Sequence, residues 1–127
     1  MAGQLILIIE DNEKNRKLCR DVLQVKGYRT IEAETAEVGL ELARSDSPAL
    51  ILMDIQLPGM DGIAAMKQLK AEPATQSIPI IAITASTMTN NRQAMLAEGF
   101  DGYQTKPITL KDFLAEVERV IKVSSKE

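Results

Sequence analysis

The chain has 127 residues, 15 Lys and Arg against 18 Asp and Glu, a formal net charge of −3 and no histidine. Domains usually contain about 100–200 residues, so this length predicts a single domain. The scattered basic residues form no positive stripe that would attract a nucleic-acid backbone. The apolar runs are far shorter than the roughly 18–20 residues that cross a bilayer. We therefore expect one globular domain that binds neither nucleic acid nor membrane.

The composition also limits the chemistry that the chain can perform. Cys19 is the only cysteine, which excludes an internal disulfide and a Cys-rich metal site. The lack of histidine excludes histidine acid–base catalysis and a role as the phosphohistidine carrier of a relay. The N-terminus lacks the basic and apolar regions of an export signal. We expect a cytoplasmic protein whose chemistry depends on carboxylates, hydroxyls, lysine and backbone groups.

Strand and helix patterns alternate along the chain. Three apolar runs without alternation are typical of strands buried on both faces of a parallel sheet. In chain order the predicted elements are a strand at 5–9, a helix around 18–23, a weak strand at 28–31, a helix over 36–44, a strand at 49–53, a helix over 63–70, a strand at 80–83, a helix over 91–98, a weak strand at 102–105 and a helix over 110–121.

Two of the helices have apolar stripes that we expect to face the core. These stripes are Leu18, Cys19, Val22 and Leu23 in the first helix, and Leu110, Phe113, Leu114, Val117, Val120 and Ile121 in the last. Five strand–helix units with short connections imply right-handed crossovers and a doubly wound α/β domain, with helices on both faces of the sheet. After this domain only a short tail remains, so we expect no attached output domain, although a piece cut from a longer protein would give the same pattern.

Polar residues stand where the predicted strands end. Glu10 and Asp11 follow the first strand and Asp54 follows the third, while Thr84 and Lys106 end the last two. The carboxyl ends of parallel strands meet at one edge of an open α/β sheet, where ligands bind. We therefore expect three carboxylates, a hydroxyl and an ammonium group to lie close together.

Such a cluster suggests magnesium-dependent phosphoryl chemistry. Three neighbouring carboxylates repel one another unless a cation lies between them, and oxygen ligands without His or Cys favour Mg²⁺. Asp54 follows a buried run and is the natural nucleophile that could accept a phosphoryl group as an acyl phosphate. A phosphatase would need a general acid–base two residues later, where this chain has Gln56. A persistent phosphate suits a switch better than a turnover enzyme.

Four ordered motifs together resemble the receiver domain of two-component response regulators. They are Ile8-Ile9-Glu10-Asp11-Asn12, the block from Leu52 to Gly62 that contains Leu57-Pro58-Gly59, Ile83-Thr84-Ala85, and Lys106-Pro107. The resemblance covers residues 4–123. The stretch from Glu10 to Asn15 and the block around Asp54 are most similar to stand-alone receivers of the DivK kind and to receivers fused to hybrid sensor kinases. The acidic pair here is Glu-Asp where many members have Asp-Asp.

The resemblance implies a (βα)5 fold with a five-stranded parallel sheet in the order 2-1-3-4-5. It also implies that Asp54 is phosphorylated, and that Asp11, Asp54 and the backbone carbonyl of Gln56 ligate Mg²⁺. Glu10 would then act mainly through metal-bound water.

The resemblance further implies how the phosphoryl group is held and detected. Thr84 and Lys106 would bind phosphoryl oxygens, and the peptide bond between Lys106 and Pro107 would be cis. Tyr103 would change rotamer when the domain is activated.

The phosphoryl group would come from a histidine kinase or a histidine phosphotransferase, and the domain would then alter its binding to a downstream protein that the sequence does not name. On this interpretation the chain is no enzyme beyond self-phosphorylation and self-dephosphorylation. One alternative is a receiver excised from a larger hybrid kinase or regulator. A second is an Mg²⁺-dependent phosphatase or flavodoxin-like cofactor binder on the same fold, although the acidic loop after the first strand would repel a cofactor phosphate.

Overall fold

A computed structural model describes residues 3–57, 59–85, 92–106 and 108–125. In these parts of the chain five strands alternate with five helices. The elements are β1 (Leu5–Ile9), α1 (Glu13–Val25), β2 (Arg29–Ala33), α2 (Ala36–Asp46), β3 (Leu50–Asp54), α3 (Gly62–Ala71), β4 (Ile80–Ala85), α4 (Arg92–Glu98), β5 (Gly102–Lys106) and α5 (Leu110–Ser125).

The strands form one parallel sheet in the order β2-β1-β3-β4-β5. This order confirms the predicted doubly wound fold. The chain adds β2 on one side of β1 and then β3, β4 and β5 on the other side, so the direction in which strands are added reverses between β1 and β3. The carboxyl ends of these two strands flank a crevice. No described helix is both long and apolar enough to cross a membrane.

The core consists of two apolar layers, one on each face of the sheet. Side chains alternate along each strand, so Leu7 and Ile9 contact one layer while Ile6 and Ile8 contact the other. The first layer packs beneath α2, α3 and α4, and the second beneath α1 and α5. Burial on both faces explains why the central strands read as continuous apolar runs rather than alternating ones.

Short polar side chains begin three of the helices. Asn12 caps α1, Thr35 caps α2 and Asp61 caps α3, each accepting a hydrogen bond from the backbone N–H three residues later, at 2.8–3.2 Å. These bonds satisfy amide groups that have no partner inside the helix. The cap at Asn12 leaves the preceding acidic pair available for another role.

Several sequence predictions need adjustment. The strands β3, β4 and β5 extend through their terminal polar residues, and β2 begins one residue later than predicted and ends at Ala33. The prediction that Leu18 and Leu110 face the core is wrong, because their exposed fractions are 42% and 60%. Each apolar stripe is wider than the line along which its helix touches the sheet. Of the helix predicted over 91–98, residue 91 lies outside the described residues.

Candidate functional site: an acidic cluster at the carboxyl edge of the sheet

Three strand ends bring the predicted acidic and basic residues together. Glu10 directly follows β1, Asp54 ends β3 and Lys106 ends β5. Glu10 and Asp54 are almost fully buried, whereas Asp11 is exposed. One carboxylate oxygen from each of these three acids can be chosen so that all three oxygens lie within 4.8 Å of one another. The structure thus juxtaposes groups that are 96 residues apart in the chain.

Lys106 pairs with both buried acids. Its Nζ lies 3.0 Å from Oδ2 of Asp54 and 3.3 Å from Oε1 of Glu10. The side chain of Lys106 is about one quarter exposed. The ammonium group is therefore at the mouth of the cluster, where it can contact both the carboxylates and an anion arriving from solvent.

Backbone contacts fix the position of Asp54. Its Oδ1 accepts a hydrogen bond from the N–H of Gln56 at 2.9 Å. The N–H of Ile55 donates to the carbonyl of Ile83 at 3.1 Å, which ties the end of β3 to β4. One carboxylate oxygen is thus held by the turn after β3, and the other faces Lys106.

Helix α3 approaches the backbone of Asp54 very closely. The N–H of Gly62 donates to the carbonyl of Ile55 at 3.0 Å. A Cβ atom at position 62 would lie 2.5 Å from the carbonyl oxygen of Asp54 and 2.5 Å from Cα of Ile55, closer than nonbonded atoms approach. Only glycine fits at this position without a backbone shift, so Gly62 lets α3 begin directly against the end of β3, while Asp61 caps the helix.

The loop that carries Glu10 and Asp11 is anchored from three directions. Glu10 donates its N–H to the carbonyl of Ala33 at 3.0 Å, and its Oε2 accepts from the N–H of Asn12 at 3.1 Å. Arg16, on the first turn of α1, donates to the carbonyl of Glu10 at 2.9 Å and to Glu32 at 3.1 Å. The sequence analysis missed Arg16. The sequence does show a basic residue in the first turn of the helix that follows the acidic pair, and the structure places this residue against Glu32 of β2.

Burial and charge crowding change the ionisation of the cluster. Burial raises the pKa of Glu10 to about 7, and the adjacent Asp54 carboxylate adds to the rise. Burial alone would lower the pKa of Lys106, but the carboxylates of Asp54 and Glu10 outweigh it and raise that pKa. The cluster thus brings three acidic side chains together with one lysine, and Glu10 keeps its proton more readily than an ordinary glutamate.

The cluster fits a divalent cation bound by oxygen ligands. Oε1 of Glu10 is buried and accepts no hydrogen bond, although Lys106 is near it as an ion pair. This oxygen keeps unused lone pairs that a cation or a water molecule can satisfy. Asp11 and Asp54 contribute further carboxylate oxygens to the same small volume. Oxygen-only ligands and this excess of acidic over basic side chains suit Mg²⁺.

The two predicted switch residues lie on one face of the sheet. Thr84 is fully buried in β4 and pairs with Thr105 of β5, one step beyond the pairing of Asp54 with Ile83. Tyr103 is half-buried two residues earlier in β5, opposite Ala82. Because parallel partners point to the same face, Tyr103 and Thr84 project from the same side of the sheet.

Some details of the predicted site stay predictions. The structure gives the N–H contact of Gln56 to Asp54 but no ligand for its carbonyl. The role of Glu10 through metal-bound water is likewise a prediction. The cis peptide bond predicted between Lys106 and Pro107 falls on Pro107, which lies outside the described residues.

The fold and the acidic edge define a class of protein. A family model for the response regulator receiver domain matches residues 6–118. The chain therefore belongs to the response regulator receiver domain family, whose members act in two-component signalling. Receiver domains bind Mg²⁺ at an acidic site and are phosphorylated by histidine kinases or phosphotransfer proteins.

Individual relatives support the same assignment. The polar-differentiation response regulator DivK of Brucella ovis is 40% identical over 112 residues, which cover 88% of this chain and 91% of that protein. A CheY-like receiver domain protein of Methanospirillum hungatei superposes with a TM-score of 0.88 at 26% identity, covering 98% of each chain. The receiver domain of a Pseudomonas aeruginosa sensor histidine kinase has a TM-score of 0.86 at 31% identity, with 95% of this chain and 99% of that one covered, and holds a magnesium ion in its active-site cleft.

Proposed function

We propose that Asp54 accepts a phosphoryl group and that the resulting acyl phosphate changes the surface of the domain. One observation carries this proposal. Asp54 is a buried carboxylate with one oxygen on the N–H of Gln56 and the other 3.0 Å from the ammonium of Lys106, beside two further acids. This arrangement holds the nucleophile still at a strand end, beside the exposed Asp11 and the partly exposed Lys106.

The transfer is a displacement at phosphorus. A carboxylate oxygen of Asp54 forms the new O–P bond while the P–N bond to the partner's phosphohistidine breaks, and the imidazole leaves with its electron pair. Asp11 and Asp54, with the carbonyl of Gln56, would hold Mg²⁺, and Glu10 would contact its water. When bound, Mg²⁺ neutralises charge on the transferring phosphoryl oxygens.

Two residues receive the transferred group. Lys106 exchanges its ion pair with Asp54 for a phosphoryl oxygen, since phosphorylation turns that carboxylate into an uncharged mixed anhydride and adds negatively charged phosphoryl oxygens nearby. The hydroxyl of Thr84 donates to another phosphoryl oxygen. Both side chains stand on strands next to each other, so the acyl phosphate links β3, β4 and β5.

The chemistry favours a switch over a turnover enzyme. Gln56 follows Asp54 by two residues, and its amide neither accepts nor donates a proton for attack by water near neutral pH. We infer that residues 4–123 act as a receiver domain that performs at most its own phosphorylation and dephosphorylation. The donor is a histidine kinase or a histidine phosphotransferase in the cytoplasm, where the ATP that supplies such kinases is present.

Phosphorylation by a low-molecular-weight donor tests this proposal. The protein is incubated with acetyl phosphate and Mg²⁺ and then separated on a phosphate-affinity gel. We expect a retarded band for the parent chain and none for Asp54→Asn, because an amide is a far poorer nucleophile. The control is Asp61→Asn, since Asn also caps helices and Asp61 lies outside the cluster. Retardation of Asp54→Asn, or loss of retardation in Asp61→Asn, would contradict the assignment.

A further inference from the structure

A buried carboxylate on α5 covers the outer edge of the sheet. β5 is an edge strand, and the N–H of Tyr103 points away from β4 to Oε2 of Glu116 at 2.8 Å. Glu116 is only 7% exposed although it is charged. In the sequence, Glu116 is an acidic residue within the apolar stripe of α5, between Phe113 and Val120, and this unusual position indicates a specific role.

The backbone makes room for this carboxylate. A Cβ atom at position 102 would lie 2.7 Å from Oε2 of Glu116 and 2.9 Å from Cγ2 of Val120. Gly102 therefore permits α5 to approach β5 closely enough for Glu116 to reach the N–H of Tyr103. Any side chain at position 102 would push α5 away from the strand.

Two arginines share the carboxylate, but only one of them also contacts the tyrosine ring. Arg92, the first residue of α4, donates to both oxygens of Glu116 at 3.3 Å, and its guanidinium carbon lies 5.9 Å from the centroid of Tyr103. Arg119 donates to the same carboxylate at 3.2 and 2.9 Å and to the carbonyl of Asp101. Glu116 thus joins α4, β5 and α5 at the position of the predicted switch residue.

These contacts keep Glu116 ionised. Burial alone would raise the pKa of Glu116, but the hydrogen bonds from Arg119, from the N–H of Tyr103 and from Arg92 outweigh it and lower the pKa. The carboxylate therefore stays charged near neutral pH and holds Arg92 beside the ring. A cation over the face of an aromatic ring stabilises that placement of the ring by electrostatic attraction.

We propose that Arg92 and Glu116 are positioning residues that hold the ring of Tyr103 in its unphosphorylated arrangement and so set how much phosphoryl occupancy is needed to shift the domain. This inference rests on the proposed function, because it requires a phosphoryl group at Asp54 to oppose the pair. A contact present in only one of two arrangements shifts the population toward that arrangement. Rotation of the ring away from Arg92 gives up the cation contact, while Glu116 continues to bind the backbone.

The expected size of the effect follows from the partial exposure of Arg92. The side chain of Arg92 is about half exposed, so its interaction with the ring belongs to the weaker range of such contacts. Removing the Arg92 side chain should raise the ratio of molecules with the Tyr103 ring rotated away to molecules with the ring in place about two- to fivefold. Phosphoryl-analogue binding would then reach half response at a correspondingly lower concentration.

Fluorine NMR can measure this ratio directly. The chain contains two tyrosines, Tyr28 and Tyr103. Incorporated 3-fluorotyrosine gives one resonance for each, and Tyr28, which precedes β2, serves as an internal reference. Beryllofluoride, an analogue of the phosphoryl group, is titrated in the presence of Mg²⁺ and contributes its own resonance when bound.

The expected result separates Arg92 from Arg119. In Arg92→Gln the resonance of Tyr103 moves toward its beryllofluoride-bound position before any analogue is added, and the midpoint of the titration falls about two- to fivefold. In Arg119→Gln, which loses an ion pair with the same carboxylate but no ring contact, the midpoint stays at the parent value. Arg92→Lys retains a cation and returns the midpoint toward that value.

Each failure has a distinct meaning. If no bound beryllofluoride resonance forms in the parent protein, the proposed function itself is wrong. If it forms but Arg92→Gln keeps the parent midpoint, the positioning role is wrong and the proposed function stands. Equal shifts in Arg92→Gln and Arg119→Gln would show that the pair stabilises α5 only, which also overturns the inference.

Discussion

Lys106 connects two buried carboxylates that would otherwise repel each other. Its contacts of 3.0 and 3.3 Å neutralise one of the charges that Glu10 and Asp54 bring to the edge of the sheet. Burial raises the pKa of Glu10 to about 7, and the neighbouring Asp54 carboxylate adds to the rise. A bound cation would reduce the repulsion between these carboxylates and so lower the free energy of burying them.

Neutralising Asp11 should separate phosphorylation from folding. In Asp11→Asn we expect loss of acetyl phosphate labelling, because one of the proposed metal ligands is removed. Without Mg²⁺, the free energy of unfolding should stay unchanged or rise by up to about 1 kcal/mol, since one like charge is gone. Urea unfolding in EDTA, with labelling measured in parallel, checks both effects.

The matched control is Glu13→Gln, an exposed acid in the first turn of α1 that lies outside the cluster. It should label like the parent chain. Normal labelling of Asp11→Asn would remove Asp11 from the proposed metal site.

Single residues differ in how readily the sequence reveals them. Glu10, Asp54 and Lys106 could be predicted because each stands at the abrupt end of an apolar run, and the topology of parallel sheets gathers such ends. Arg16 contacts Glu32 at 3.1 Å, and Glu116 contacts the N–H of Tyr103 at 2.8 Å. Both partners lie on other elements, and no local pattern encodes them. The acidic position within an apolar helical stripe was the available signal for Glu116.

At the level of elements, the start of α3 is packed directly onto the end of β3. Gly62→Ala would place a methyl group against the backbone of Asp54, where the close approach is 2.5 Å. We expect a loss of about 1–3 kcal/mol in unfolding free energy from this overpacking. Labelling of Asp54 should fall as well, because the carboxylate must shift with its backbone.

A second variant distinguishes displacement from general instability. Asp61→Ala removes the cap of the same helix, where Oδ1 accepts the N–H of Ala64 at 2.8 Å, and should cost about 1 kcal/mol. It adds no atom near Asp54, so labelling in the folded protein should persist. Equal labelling of Gly62→Ala and Asp61→Ala would show that the close approach has no part in positioning Asp54.

The attachment of α5 to β5 should depend on pH. Because the pKa of Glu116 in the folded protein lies below the ordinary value of 4.5, its stabilisation is complete above that pH and declines as pH falls further. Glu116→Gln should therefore unfold about 1 kcal/mol more easily than the parent chain at pH 7.

This difference should shrink at pH values below 4.5. Urea unfolding of both proteins at pH 7 and pH 3.5 measures it, and a difference that stays constant or grows on acidification would contradict the ionised state of Glu116.

The order of elements was predictable, whereas their exact ends were not. Unbroken apolar runs predicted the ends of three strands within one or two residues, because a strand that is buried on both faces appears in the sequence as a continuous apolar segment. The apolar stripes of α1 and α5 were predicted too wide. The exposure of Leu18 and Leu110 depends on where each helix contacts the sheet, which the spacing of apolar residues along the helix does not specify. Helix starts at Asn12 and Asp61 agree with their capping chemistry.

For the whole molecule, cation binding at the acidic cluster should increase the stability of the folded domain. Oxygens that lie within 4.8 Å of one another come from two strand ends, so a cation that bridges them holds β1 and β3 together. A ligand that binds only the folded state adds RT ln(1 + [L]/Kd), or about 1.4 kcal/mol when its concentration is ten times Kd. Mg²⁺ should raise the melting temperature of the parent chain and leave that of Asp11→Asn almost unchanged.

Thermal unfolding with increasing MgCl₂, with NaCl adjusted to constant ionic strength, measures this coupling. An equal rise in both proteins would show a general salt effect and would contradict binding at the acidic cluster.

The central claim is that Asp54 carries the phosphoryl group, and chemical trapping tests it most directly. Borohydride reduces an aspartyl phosphate to homoserine, which marks the acceptor permanently. The protein is phosphorylated with acetyl phosphate and Mg²⁺, treated with borohydride, digested and sequenced by mass spectrometry. The account predicts homoserine at position 54 and unchanged aspartate at position 11. Homoserine at Asp11 or at another aspartate, with residue 54 still aspartate, would contradict it.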